Sequence, residues 1–164
     1  IEIAEGVMVA KRHIHMTPEE VIGYYRRHSE EEDLSTIQPY PGCEEALKAV
    51  VEKGGKNYLY THRGQSGIDA LERDGLDRYF TDFVTSQHGF PAKPAPDALN
   101  FLCEKHRLDK ALCVMVGDRD IDLDAGKNAG MQGALCDPDH QYDSYETPYR
   151  FETLTELKKT LMEE

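Results

Sequence analysis

Three stretches of this sequence end in side chains that could hold a phosphate or a metal ion. The first is Tyr58-Leu59-Tyr60-Thr61-His62-Arg63-Gly64. A hydroxyl beside free backbone amides at a helix start can bind a phosphate oxygen, and Arg63 could add a positive charge. Thr61 could equally cap the next helix, the usual task of threonine at such a place. The second is Pro91-Ala92-Lys93-Pro94-Ala95-Pro96-Asp97. Its prolines restrict the backbone, so Lys93 could reach one fixed point and neutralise anions there. The plainer reading is an exposed lysine in a turn. In the third, the apolar run Val114-Met115-Val116 meets Gly117 and then four aspartates, Asp118, Asp120, Asp122 and Asp124. Asp118 and Asp122 are four apart, so a helical first turn would put them on one side. Two such oxygen ligands suit Mg2+, which keeps several waters as well. Acidic residues also favour a helix N-terminus, which accounts for Asp120 and Asp124 better than for Asp118.

A fourth candidate lies at the start, in Glu5-Gly6-Val7-Met8-Val9-Ala10-Lys11-Arg12-His13-Ile14-His15. In a strand, His13 and His15 would share a face. Zinc generally takes three or four protein ligands, so the pair needs partners that only folding could supply.

From residue 42 onward, helical and strand-like patterns alternate. Cys43 to Gly55, Gly64 to Gly75, a proline-opened stretch to Leu108, Asp120 to Gly130 and the last dozen residues read as helices. The strand candidates are "KNYLYT", "DFVTS", "ALCVMVG" (the one that looks most buried) and a final "QGALCD". "DPDHQYDSYETPYR" reads as an ordered surface loop. Strands alternating with crossover helices imply an α/β fold with a parallel sheet. Open parallel sheets bind ligands beyond the carboxyl ends of their strands, where the first three stretches fall. Before residue 42, Thr17 is an expected N-cap with Pro18 after it.

Thr at one strand end, Lys-Pro on a following loop and Gly-Asp-x-x-x-Asp at a later strand end resemble motifs of the haloacid dehalogenase-like (HAD) hydrolase superfamily. "IQPYPGCEEAL" looks like the join between helical cap and core in its cap-bearing phosphatases. The resemblance implies a Rossmann-like parallel sheet flanked by helices, with a short remnant of a helical cap. It divides the chain into an atypical segment 1–17, a partial cap 18–41 and a core 42–164. It further implies a Mg2+-dependent phosphatase acting on a small phosphorylated metabolite through an aspartyl-phosphate intermediate. Thr61 would bind the phosphoryl group, Lys93 would orient the nucleophile and neutralise charge, Asp118 would ligate Mg2+, and Asp122 would support the metal or the lysine. His62 and Arg63 stand where substrate contacts would be.

The sequence departs from that family in one respect. No Asp-x-Asp stretch, source of the nucleophile and the acid/base, precedes Thr61. The early apolar run "GVMVA" could fill the vacant strand position. Residues 5–20 separately resemble a metal-binding segment of phosphate propanoyltransferases, in which a His-x-His ligates zinc. The alternatives to a phosphatase are therefore an inactive relic or binding protein and, more remotely, a zinc-dependent acyl transferase.

With 31 acidic against 19 basic residues, the formal net charge is -12. Such a surface repels nucleic acid and anionic membranes, so a phosphate site needs local positive charge. No run approaches the ~18 apolar residues of a membrane span. The four cysteines include no C-x-x-C pair, and Cys113 and Cys136 sit in apolar runs suited to buried thiols. The expectation is a cytoplasmic protein without disulfides.

Overall fold

The computed structural model describes residues 37–163, the strands Glu2–Ala4 and Val7–Val9 as backbone, and residues 17, 20, 23 and 34. Seven strands are described: β1 (Glu2–Ala4), β2 (Val7–Val9), β3 (Asn57–Tyr60), β4 (Phe80–Val84), β5 (Val114–Gly117), β6 (Gln132–Cys136) and β7 (Tyr149–Phe151). Five helices follow residue 42: α1 (Cys43–Glu52), α2 (Gln65–Arg73), α3 (Asp97–His106), α4 (Asp120–Ala129) and α5 (Leu154–Glu163). Strands β3 and β4 pair in parallel, and β5, β6 and β7 form a second parallel group in that order. The architecture is the expected α/β one, with helices against parallel strands.

Helix α1 opens at Gly42, in the left-handed conformation, and buries Ala46 and Ala49 while its first turn carries Glu44 and Glu45. Those carboxylates complement the positive end of the helix dipole. Helix α4 stops at Gly130 (φ 83), whose positive φ closes a helix without a Cβ penalty. A Cβ at Gly126, on the buried face of α4, would lie 2.6 Å from Met115 Cβ. Glycine there lets the helix rest directly on β5.

One core cluster is Val84, Ala98 and Leu102, with Tyr58, Tyr60, Phe90 and Phe101 around it. A second is Leu99, Ala125 and Ala129, with Tyr60, Met115 and Met131. Tyr60 belongs to both, so it ties the β3–β4 half to the β5–β7 half across α3 and α4. A third cluster, Ala134, Phe151 and Leu157, seats α5 on β6 and β7.

Four expectations change. Among the described residues, "GVMVA" does not join the parallel strands: Val7–Val9 pairs antiparallel with Glu2–Ala4. β5 is a strand but not a buried one, since Val114 and Val116 are exposed. β6 is not the last strand, because β7 pairs along its far edge. Of the thiols, Cys103 and Cys136 are buried, while Cys113 is only partly so; all four cysteines are free. Thr17 behaves as expected. Its amide donates to Glu20 Oε2 at 2.8 Å and its hydroxyl accepts from the Glu20 amide at 3.3 Å, a reciprocal helix-start box. Among the described residues, no helix is long and apolar enough to cross a membrane.

Candidate active site

The carboxyl ends of β3 and β5 and the loop carrying Lys93 converge. Lys93 Nζ lies 2.6 Å from Asp122 Oδ1, both side chains being nearly buried (11% and 6% exposed). The ammonium also donates to the Tyr60 carbonyl at 3.3 Å and sits 4.7 Å from the centre of the Tyr60 ring. Proline-restricted backbone and this set of acceptors fix a side chain that would otherwise sample many rotamers.

Asp122 is the third residue of α4. Its Oδ2 accepts the Arg119 amide at 3.2 Å and its own amide donates to the Arg119 carbonyl at 3.1 Å. Both carboxylate oxygens are therefore engaged, one by the helix start and one by Lys93. Gly117, the last residue of β5, makes this close fit feasible: a Cβ there would lie 2.2 Å from Asp122 Cβ. Any other residue would push α4 off the strand end.

Asp118 is exposed on the turn after β5, and Tyr40 donates to its Oδ2 at 3.4 Å. Burial, then the charge of Asp118 and the hydrogen bond to it, raise the Tyr40 pKa. The phenol thus stays protonated and keeps its donor role. Through Tyr40 the join before α1 reaches the strand ends. That join is itself anchored, because Arg73 donates to the carbonyls of Leu34 and Ile37.

Thr61 continues β3, its amide donating to the Val84 carbonyl at 2.9 Å. Its hydroxyl accepts the Arg63 amide at 3.1 Å. It does not cap α2, whose N-cap is Gly64. The Arg63 carbonyl accepts from the Ser86 amide at 3.1 Å, linking the loops that follow β3 and β4. His62 does something its sequence position did not announce: its Nε2 accepts the Lys93 backbone amide at 3.0 Å. Its pKa is lowered by partial desolvation and then by the Lys93 charge; Asp122 opposes this and Arg119 adds to it.

The structure thus joins Lys93 directly to both Asp122 and His62, and sets Thr61 just after β3 and Asp118 just after β5. Tyr60, Arg119, Tyr40 and Asn128, which donates to the Pro94 carbonyl at 3.0 Å, were missed. The one available signal was for Tyr60, two residues before His62 at the end of the expected strand. His13 and His15 lie outside the described residues. Among the described residues, no group of three or more His, Cys, Asp or Glu side chains could hold a metal ion.

The sequence profile of the haloacid dehalogenase-like hydrolases matches residues 2–136. A phosphoglycolate phosphatase of Vibrio vulnificus is 41% identical over 56% of this chain and 40% of its own length. Pyrophosphatase PpaX of Halalkalibacterium halodurans is 30% identical over 71% of this chain and 55% of its own. The chain therefore spans about half the length of these relatives. The crystal structure of a hydrolase from Streptococcus pneumoniae superimposes with a TM-score of 0.62 at 27% identity, over 88% of this chain and 67% of that one. The match runs through all three strand-end stretches and the helices between them, and on it the chain belongs to the haloacid dehalogenase-like hydrolase family.

Proposed function

We propose that the protein is a Mg2+-dependent phosphatase of small phosphorylated metabolites, working through an aspartyl-phosphate intermediate. The observation that carries this reading is the nearly buried Lys93 ammonium, fixed 2.6 Å from Asp122 at the strand ends that also bear Thr61 and Asp118. A positive charge already aimed, in a partly dry site, stabilises a phosphoryl group in its transition state without reorganising. The names of the relatives point the same way.

In this reading a carboxylate attacks phosphorus, the P–O bond to the leaving group breaks, and the departing oxygen takes a proton. Water then attacks the acyl phosphate, releasing inorganic phosphate and restoring the carboxylate. The attacking aspartate is not recognisable before Thr61 in this sequence. Thr61, whose oxygen already accepts the Arg63 amide, has its O–H to donate to a phosphoryl oxygen. Arg63 adds positive charge near that oxygen. Asp118 is a hard oxygen donor of the kind Mg2+ prefers, and its contact with Tyr40 is long at 3.4 Å. Asp122, with both oxygens committed, acts through Lys93. Mg2+ held at Asp118 would supply further positive charge to the phosphoryl oxygens. The site would take its substrate against an acidic surface, so these local charges set its affinity.

Full-length protein assayed with p-nitrophenyl phosphate, phosphoglycolate and pyrophosphate should release inorganic phosphate only with Mg2+. Asp118→Asn should lower the rate by about 10²-fold or more, as expected when a transition-state charge contact is lost. No release from any of the three would overturn the reading and favour a phosphate-binding protein without turnover.

A further inference from the structure

The aim of Lys93 depends on two residues that the phosphoryl chemistry does not itself require. Tyr60 and His62 stand two residues apart at the end of β3, and both grip the Lys93 loop. The Tyr60 carbonyl accepts from Lys93 Nζ, its ring lies beneath the ammonium, and its hydroxyl donates to the Pro91 carbonyl at 3.3 Å. His62 Nε2 accepts the Lys93 amide at 3.0 Å, and the two rings meet edge to face at 5.7 Å. From the far side, Asn128 of α4 holds the Pro94 carbonyl. The lysine is thus held at its amide and at its ammonium, and the loop also on either side of it.

We infer that Tyr60 and His62 are positioning residues that set the aim of Lys93, with His62 serving as a neutral acceptor for the lysine's own backbone amide. This rests on the role proposed for Lys93 above. A backbone N–H can only donate, so Nε2 carries the lone pair and the neutral ring keeps its proton on Nδ1. Protonation would set N–H against N–H and release the loop. The groups facing the ring are Lys93, Asp122, Arg119 and Tyr60. Desolvation and the two cations disfavour the imidazolium, Asp122 favours it, and the net effect is a lowered pKa. The ring is then neutral at neutral pH, with its acceptor in use. A direct substrate contact, the expectation from sequence, would have to be made by the remaining edge.

NMR on the full chain separates these roles without needing turnover. The Lys93 amide shift should follow the titration of the His62 ring, with a midpoint below the usual ~6.5. In His62→Ala the Lys93 amide should exchange about tenfold faster, the size expected for one hydrogen bond. A Lys93 amide that ignores the ring's titration and exchanges equally in the variant overturns the inference. In the phosphatase assay, His62→Ala should lower kcat about tenfold with KM little changed, and His62→Gln, which restores an acceptor, should recover part of the loss. A loss confined to KM would mark a substrate contact and overturn it too. Wild-type inactivity would strike the proposed function alone, because the NMR readouts would still report on the hold of His62 on Lys93.

Discussion

Strands β5 and β6 lie side by side and are similarly apolar, yet their burial differs. In β6, Ala134, Leu135 and Cys136 are 1%, 0% and 4% exposed, whereas Val114 and Val116 of β5 are 45% and 39% exposed. Strand β6 has a partner on each edge, α4 on one face through Leu123 against Gly133, and α5 on the other through Leu157 beside Ala134. Strand β5 pairs only with β6 among the described residues. Met115 faces α4, so Val114 and Val116 face the opposite side. Among the described residues, nothing covers that side of β5. An apolar run states that burial would be favourable; only a neighbour makes it happen. The same holds for β3, none of whose four residues is fully buried.

The contrast is sharpest where the two parallel strand groups depend on each other, at Lys93 and Asp122. Asp122→Ala would leave the ammonium nearly buried with only the Tyr60 carbonyl and ring for partners. Breaking such a pair from one side costs about 3–5 kcal/mol, while removing both charges together costs much less. Urea unfolding of Asp122→Ala should therefore show the larger loss, and Asp122→Ala combined with Lys93→Met a smaller one. Equal losses would mean that the pair does not join the two groups.

Within the sheet, Leu135→Ala should cost about 2–5 kcal/mol, the range for emptying a fully enclosed leucine site. Val116→Ala should cost under about 1 kcal/mol, because much of that side chain is already in water. Comparable losses, again by urea unfolding, would show that β5 is covered in solution and would break the contrast. The same distinction explains what the sequence could disclose. The ends of α2 and α4 were readable, since Gly75 and Gly130 take positive φ, a local requirement. Strand β7 was not. Tyr149-Arg150-Phe151 sits at the end of a polar stretch, and Arg150 secures it by pairing at 2.7 Å with the buried Asp137. No sequence spacing reports such a partner. In the site, Thr61, Lys93, Asp118 and Asp122 were legible by residue type and strand-end position. The grip of His62 on Lys93 was not, because its acceptor meets a backbone amide that every residue type but proline offers.

The effect most sensitive to pH concerns the β3–β4 pair, which uses charge where the β6 region uses enclosure. Asp82 on β4 accepts from His106 Nε2 at 2.6 Å and from Lys105 Nζ at 2.7 Å, both at the end of α3. Burial of the carboxyl opposes ionisation. The His106 and Lys105 bonds and the Phe83 amide outweigh it, and the pKa falls to about 2 from 3.8. A carboxyl with a lowered folded-state pKa binds fewer protons folded than unfolded, so it stabilises the protein at higher pH. Its contribution is whole above about pH 4 and is lost as pH falls towards 2. With a side chain 19% exposed, solvent screening trims that contribution to about 1–2 kcal/mol. Asp82→Asn should remove it, so the stability difference between variant and wild type should shrink as pH drops through this window. Leu135→Ala, which involves no proton, should keep a constant difference over the same range. A pH-independent gap for Asp82→Asn would show that the carboxylate is held no more strongly than one in water, and that the β3–β4 pair, like the enclosed β6, rests on packing.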